Sequence, residues 1–123
     1  MAQCPLVAVV DDDDSVRESL SGLFRSVGLA ARGYASATAF LQSDDLPEID
    51  CLILDVRMPG MGGLELHRRL VASQLDVPVV FMTAHDDART RSQALSGGAV
   101  GYLIKPFSEE ALLDAVRAAL GSK

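Results

Sequence analysis

Apolar positions along the chain fall into two rhythms. Short continuous runs, rich in β-branched residues, occur at Leu6–Val10, Cys51–Leu54, Val79–Met82 and Tyr102–Ile104, with a weaker one around Ala30–Ala35. Runs this short and apolar at every position predict strands buried on both faces. Between them the apolar period lengthens to that of a helix. Val16, Leu20, Leu23, Phe24 and Val27 share one helical face, and Gly28 is placed to stop that helix. Leu112, Ala115, Val116, Ala119 and Leu120 form a second stripe. Ser108 is its expected N-cap, Glu109 and Glu110 occupy the first turn, and Gly121 follows the end. Ser36–Gln42 and Gly63–Ser73 predict two further helices. Strands alternating with helices at this spacing predict an α/β domain, its parallel sheet covered on both faces.

Composition narrows the function classes. The 123 residues fit one domain, and no linker, repeat or low-complexity tract divides them. With 17 Asp and Glu against 11 Lys and Arg, the net charge of −6 argues against direct nucleic-acid binding. The apolar run at the N-terminus lacks a basic stretch before it and ends in acids, unlike a signal peptide. No run approaches the ~20 apolar residues of a membrane span. Cys4 and Cys51 lack metal-ligand spacing and read as reduced thiols of a cytoplasmic protein, with Cys51 buried.

In parallel α/β sheets, ligands bind beyond the carboxyl ends of the strands. There the first strand runs into Asp11 and Asp12, and the third into Asp55, in LILDVRMPGMGG. The fourth reaches Thr83, in VVFMTAH, and the fifth Lys105 and Pro106, in YLIKPF. Three carboxylates, a hydroxyl and an ammonium are thus delivered to one edge. Clustered oxygen ligands suit a hard divalent cation, and Mg²⁺ takes one or two carboxylates plus waters. That accounts for part of the run VAVVDDDDSVRES: Asp11 and Asp12 serve the metal, while Asp13 and Asp14 lead into the next helix, where negative charge is favoured. His67 reads as ordinary helix surface. Met58, Met61 and Met82 read as loop packing and core filler.

The motifs VVDD, LILDVRMPGMGG, MTAH and GYLIKPF, in this order and spacing, resemble the receiver domain of two-component response regulators along essentially the whole chain, 1–123. The FixJ-type receivers, which often precede a DNA-binding domain, are the most similar. The resemblance implies a doubly wound, flavodoxin-like sheet of order 2-1-3-4-5 with five helices. It implies Asp55 as phosphoacceptor, with Asp12 binding Mg²⁺ (or Mn²⁺) directly and Asp11 through water or as a second acidic contact. The backbone carbonyl of Arg57 would complete the protein ligands. Lys105 and Thr83 would contact the phosphoryl oxygens, Tyr102 would be the aromatic switch residue, and the Lys105–Pro106 bond would be cis. His85, two positions after Thr83, reads as a solvated loop residue ahead of a contact to the phosphoryl group or the attacking water. A sensor histidine kinase is the implied donor, so the domain is a substrate and not a turnover enzyme. The surface of the fourth helix, fifth strand and fifth helix would carry the output, with a phosphorylation-dependent homodimer as one form of it.

Two departures from the family pattern stand out. Gly62 occupies a position that is commonly acidic, which predicts a looser turn after the third strand. In DDARTRSQALSGG, Arg91 and Ser92 replace small apolar residues, leaving Ala88, Ala94 and Leu95 as the apolar face of a weakly anchored helix. Other classes fit less well. A phosphatase of the haloacid dehalogenase type needs a second Asp where Arg57 stands, and a nucleotide-binding flavodoxin-like domain needs a Gly-rich loop after the first strand. A degenerate receiver that only binds proteins would not need the full set of Asp11, Asp12, Asp55, Thr83 and Lys105.

Overall fold

The computed structural model describes residues 4–44 and 46–121, so the outermost residues of the expected 1–123 domain lie outside the described residues. Five parallel strands, β1 (Leu6–Val10), β2 (Ala30–Tyr34), β3 (Cys51–Asp55), β4 (Val79–Thr83) and β5 (Gly101–Ile104), pair in the order β2-β1-β3-β4-β5. The helices between and after them are α1 (Asp14–Ser26), α2 (Ala37–Leu41), α3 (Gly63–Ala72), α4 (Ala88–Ser96) and α5 (Glu109–Gly121). This is the doubly wound arrangement implied by the resemblance. A single 3₁₀ turn, Leu46–Glu48, was not legible, because three residues around a proline carry no period.

The central strands β1, β3 and β4 are buried at every position, as two-sided burial requires. Their alternate side chains divide the core. Ala8, Val10, Leu52, Leu54 and Phe81 pack with Phe40, Leu66 and Leu70 on the side of α2, α3 and α4. Val7, Val9, Ile53, Val80 and Met82 pack with Leu20, Phe24, Leu112 and Val116 on the side of α1 and α5. β2 is an edge strand, and Arg32 and Gly33 are exposed on opposite faces of it, Gly33 on the face of α1.

Helix ends follow local chemistry. The Asp13 carboxylate accepts the Ser15 and Val16 N–H groups at 2.8 and 3.4 Å, capping α1. Gly28, at φ 88°, makes the left-handed turn that ends it. Ser36 and Ser108 cap α2 and α5 through bonds from the N–H groups of Ala39 and Ala111, each 3.0 Å. Gly121 stands inside α5 rather than after it. On α4 the apolar face is narrower than expected: only Ala94 is buried, while Ala88 and Leu95 are exposed.

Candidate functional site

The carboxyl edge of the sheet gathers the strand-end residues. Asp11 follows β1 and is 1% exposed. Its N–H donates to the Tyr34 carbonyl at 3.2 Å, which ties it to β2, and its Oδ1 accepts the Asp13 N–H at 2.9 Å. Asp12, next in the chain, points into solvent. Asp55 ends β3, buried, with Oδ1 accepting the Arg57 N–H at 3.3 Å. One carboxylate oxygen from each of Asp11, Asp12 and Asp55 lies within 4.8 Å of the others. The Lys105 ammonium stands over two of them, 3.1 Å from Asp11 and 3.8 Å from Asp55. The Lys105–Pro106 bond is cis.

Crowding carboxylates in a buried place has a protonic consequence. The Asp55 carboxyl is pushed up to about 6, first by burial and then by the Asp11 charge, against the pull of Lys105 and the Arg57 N–H. Thr83 is buried at the end of β4, its hydroxyl accepting the His85 N–H at 3.1 Å. Tyr102, two strands from Asp55, is half-buried with its ring against the α2–α4 side of the core. Its hydroxyl is buried with no hydrogen-bond partner, and the Arg91 guanidinium lies 5.3 Å from the ring centroid.

The turn after β3 is closed by backbone. Gly62 is the N-cap of α3 without a side-chain bond, and the Gly63 N–H donates to the Val56 carbonyl at 2.9 Å. A Cβ on Gly63 would stand 2.3 Å from the Asp55 carbonyl oxygen, so only glycine lets α3 start so close to the acidic strand end. Nothing in the hydrophobic pattern marks Gly63. Nor does it mark Arg17, which donates to the Asp11 carbonyl at 2.7 Å and pairs with Asp14. The one cation inside VAVVDDDDSVRES was the available signal. His67 corrects an expectation: it is buried, not surface, its ring edge-on to Phe81 with centroids 5.5 Å apart, and burial lowers its pKa. His85 is exposed, and the thioethers of Met58, Met61 and Met82 pack with the core as expected.

Residues 7–117 match the response regulator receiver domain family. The chain belongs to that family. The receiver is 47% identical over 115 residues to nodulation protein W of Bradyrhizobium diazoefficiens, covering 93% of this chain and 50% of that protein. It is 46% identical over 115 residues to the transcriptional regulatory protein FixJ of Azorhizobium caulinodans, covering 94% of this chain and 54% of that one. Among solved structures, the crystal structure of FixJ-N superposes with a TM-score of 0.88 at 33% identity, over 99% of this chain and 98% of its own. The receiver thus spans about half the length of the curated relatives it matches. As a receiver domain of two-component signalling it is not a turnover enzyme. Among the described residues no helix is long and apolar enough to cross a membrane.

Proposed function

We propose that this receiver accepts a phosphoryl group from a sensor histidine kinase onto Asp55, its sole phosphorylation site, and passes the change to an output that controls transcription. The observation that carries the reading is the acidic triad Asp11, Asp12 and Asp55 with the Lys105 ammonium held between two of its members. An all-oxygen donor set of this charge fits a hard divalent cation, Mg²⁺ or in its place Mn²⁺. Asp11, Asp12, Asp55 and the backbone carbonyl of Arg57 would hold it, and when bound it supplies positive charge against the phosphoryl oxygens.

The chain's own groups do the rest. A carboxylate oxygen of Asp55 attacks phosphorus as the bond to the donor's imidazole nitrogen breaks, and the electron pair leaves with that nitrogen. Such a transfer depends on positioning and charge neutralisation more than on covalent assistance. Burial and the Arg57 N–H fix the nucleophile, and Lys105 offsets charge on the incoming group. The new phosphoryl oxygens compete for the Thr83 hydroxyl, which now accepts from His85. Movement of Thr83 toward Asp55 frees space beside Tyr102, and the surface of α4, β5 and α5 rearranges. That surface carries homodimerisation or contact with an effector domain, in a cytoplasmic protein.

Intact mass after incubation with acetyl phosphate and Mg²⁺ tests the assignment. The expected result is one phosphoryl adduct on the wild type and none on Asp55→Asn; equal yield on both overturns it. Sedimentation with and without beryllofluoride reads the output step, which Thr83→Ala should uncouple while Asp55 still accepts phosphate.

A further inference from the structure

Four successive aspartates repel one another, and the carboxylates of Asp11 and Asp13 offset this only locally, by accepting the N–H groups of Asp13 and of Ser15 and Val16. The residue that counters them comes from the helix they introduce. Arg17 lies in the first turn of α1 on the flank toward β2, and its side chain is only 18% exposed. One arm of its guanidinium donates to the Asp11 carbonyl at 2.7 Å, and the other pairs with Asp14. The Asp11 N–H is tied to Tyr34 of β2 at 3.2 Å. The backbone of Asp11 is therefore held at both its N–H and its carbonyl, the second being half of the peptide link to Asp12. Its orientation sets where the two carboxylates point.

The Arg17 stem reaches that carbonyl by lying across the face of β2 that α1 covers, over Gly33. A Cβ on Gly33 would meet the stem's Cδ at 3.2 Å, Cβ at 3.4 Å and Cγ at 3.6 Å. Gly33 is not in the left-handed region, so its bareness serves this contact and not its own backbone. We infer that Arg17 is a positioning residue for the acidic pocket, and that Gly33 on the edge strand makes room for it. The inference rests on reading Asp11 and Asp12 as metal-binding carboxylates.

Charge and position predict opposite signs here. Removing the guanidinium that holds the Asp11 carbonyl and Asp14 strengthens cation binding if Arg17 acts by its field alone. Loss of the brace weakens it. For Arg17→Met, calorimetry with MgCl₂ should give a dissociation constant raised about tenfold, the lower end for groups that orient metal ligands. Gly33→Ala keeps the guanidinium and displaces the stem, so it should give a smaller rise, and the double variant should be no weaker than Arg17→Met alone. In metal-free protein, amide exchange of Asp12 and Asp13 should accelerate in both variants while that of β4 stays unchanged.

Tighter or unchanged Mg²⁺ binding in Arg17→Met, or additive losses in the double variant, overturns the brace. Wild type that binds no Mg²⁺ would defeat the metal reading, while the exchange measurement still decides whether Arg17 orders the loop. Unchanged exchange of Asp12 and Asp13 in both variants overturns it outright.

Discussion

Single residues carry the chemistry, and Asp55 shows how much of it is electrostatic. Its folded-state pKa of about 6 lies above the ordinary 3.8, so the native protein holds the proton more tightly than the unfolded chain. Stability from this group is therefore greatest below about pH 4 and is lost as pH rises through about 6. Replacing it with the neutral amide removes that loss. Asp55→Asn should gain on metal-free wild type by on the order of 2 kcal/mol between pH 4 and pH 7.5, read by urea unfolding at each pH. Tyr102 has a different cost, a buried hydroxyl without a partner. Tyr102→Phe should stabilise the resting domain by about 1 kcal/mol in the same assay. The strand-end acids, Thr83 and Lys105 were legible because each closes an apolar run. Arg17 and Gly63 were not, because they act on backbone carbonyls, and a carbonyl has no letter. His67 misled because a polar residue on a helix is usually outside, and only the approach of Phe81 shows otherwise.

Among the elements, α4 is the least secured. Its anchors are Ala94, the Arg91 guanidinium against Tyr102, and the Asp87 cap, whose carboxylate accepts from the Thr90 hydroxyl and the Arg89 N–H, both at 3.0 Å. Those bonds hold the Asp87 carboxyl below its usual range. Local opening is cheapest where little apolar surface is buried. Amide exchange should therefore be faster across Ala88–Ser96 than across α1 or α5, and Asp87→Ala should speed it further while leaving β4 unchanged. The sequence announced this weakness through Arg91 and Ser92 but overstated the apolar face, since a helical pattern alone does not say how deep each residue sits. Gly62 predicted a loose turn, and the backbone bond from Gly63 to Val56 shows how it closes without a side-chain cap. The strands were readable to within a residue or so, the polar edge strand β2 included, although its apolar signal was the weakest.

At the scale of the whole molecule, the sheet divides the interior into two halves that share only its strands. Periodicity identified the layers, but the order of the strands came from family resemblance, because hydrophobic pattern records burial and not adjacency. The division has a thermodynamic signature. Leu70→Ala, on the α2–α4 side, should cost ~2–5 kcal/mol, and Ile53→Val, on the α1–α5 side, ~0.5–1.5 kcal/mol. Since the two side chains lie on opposite faces, the pair should sum to within ~0.5 kcal/mol, as measured by a double-mutant cycle in urea. The same partition bears on ancestry. A lineage can rework the residues packed beside α1 and α5 without matching changes beside α4, because neither half-core is packed against the other. Substitutions on the two faces can accumulate on separate clocks, provided that the strands between them, and the acids at their ends, stay in register.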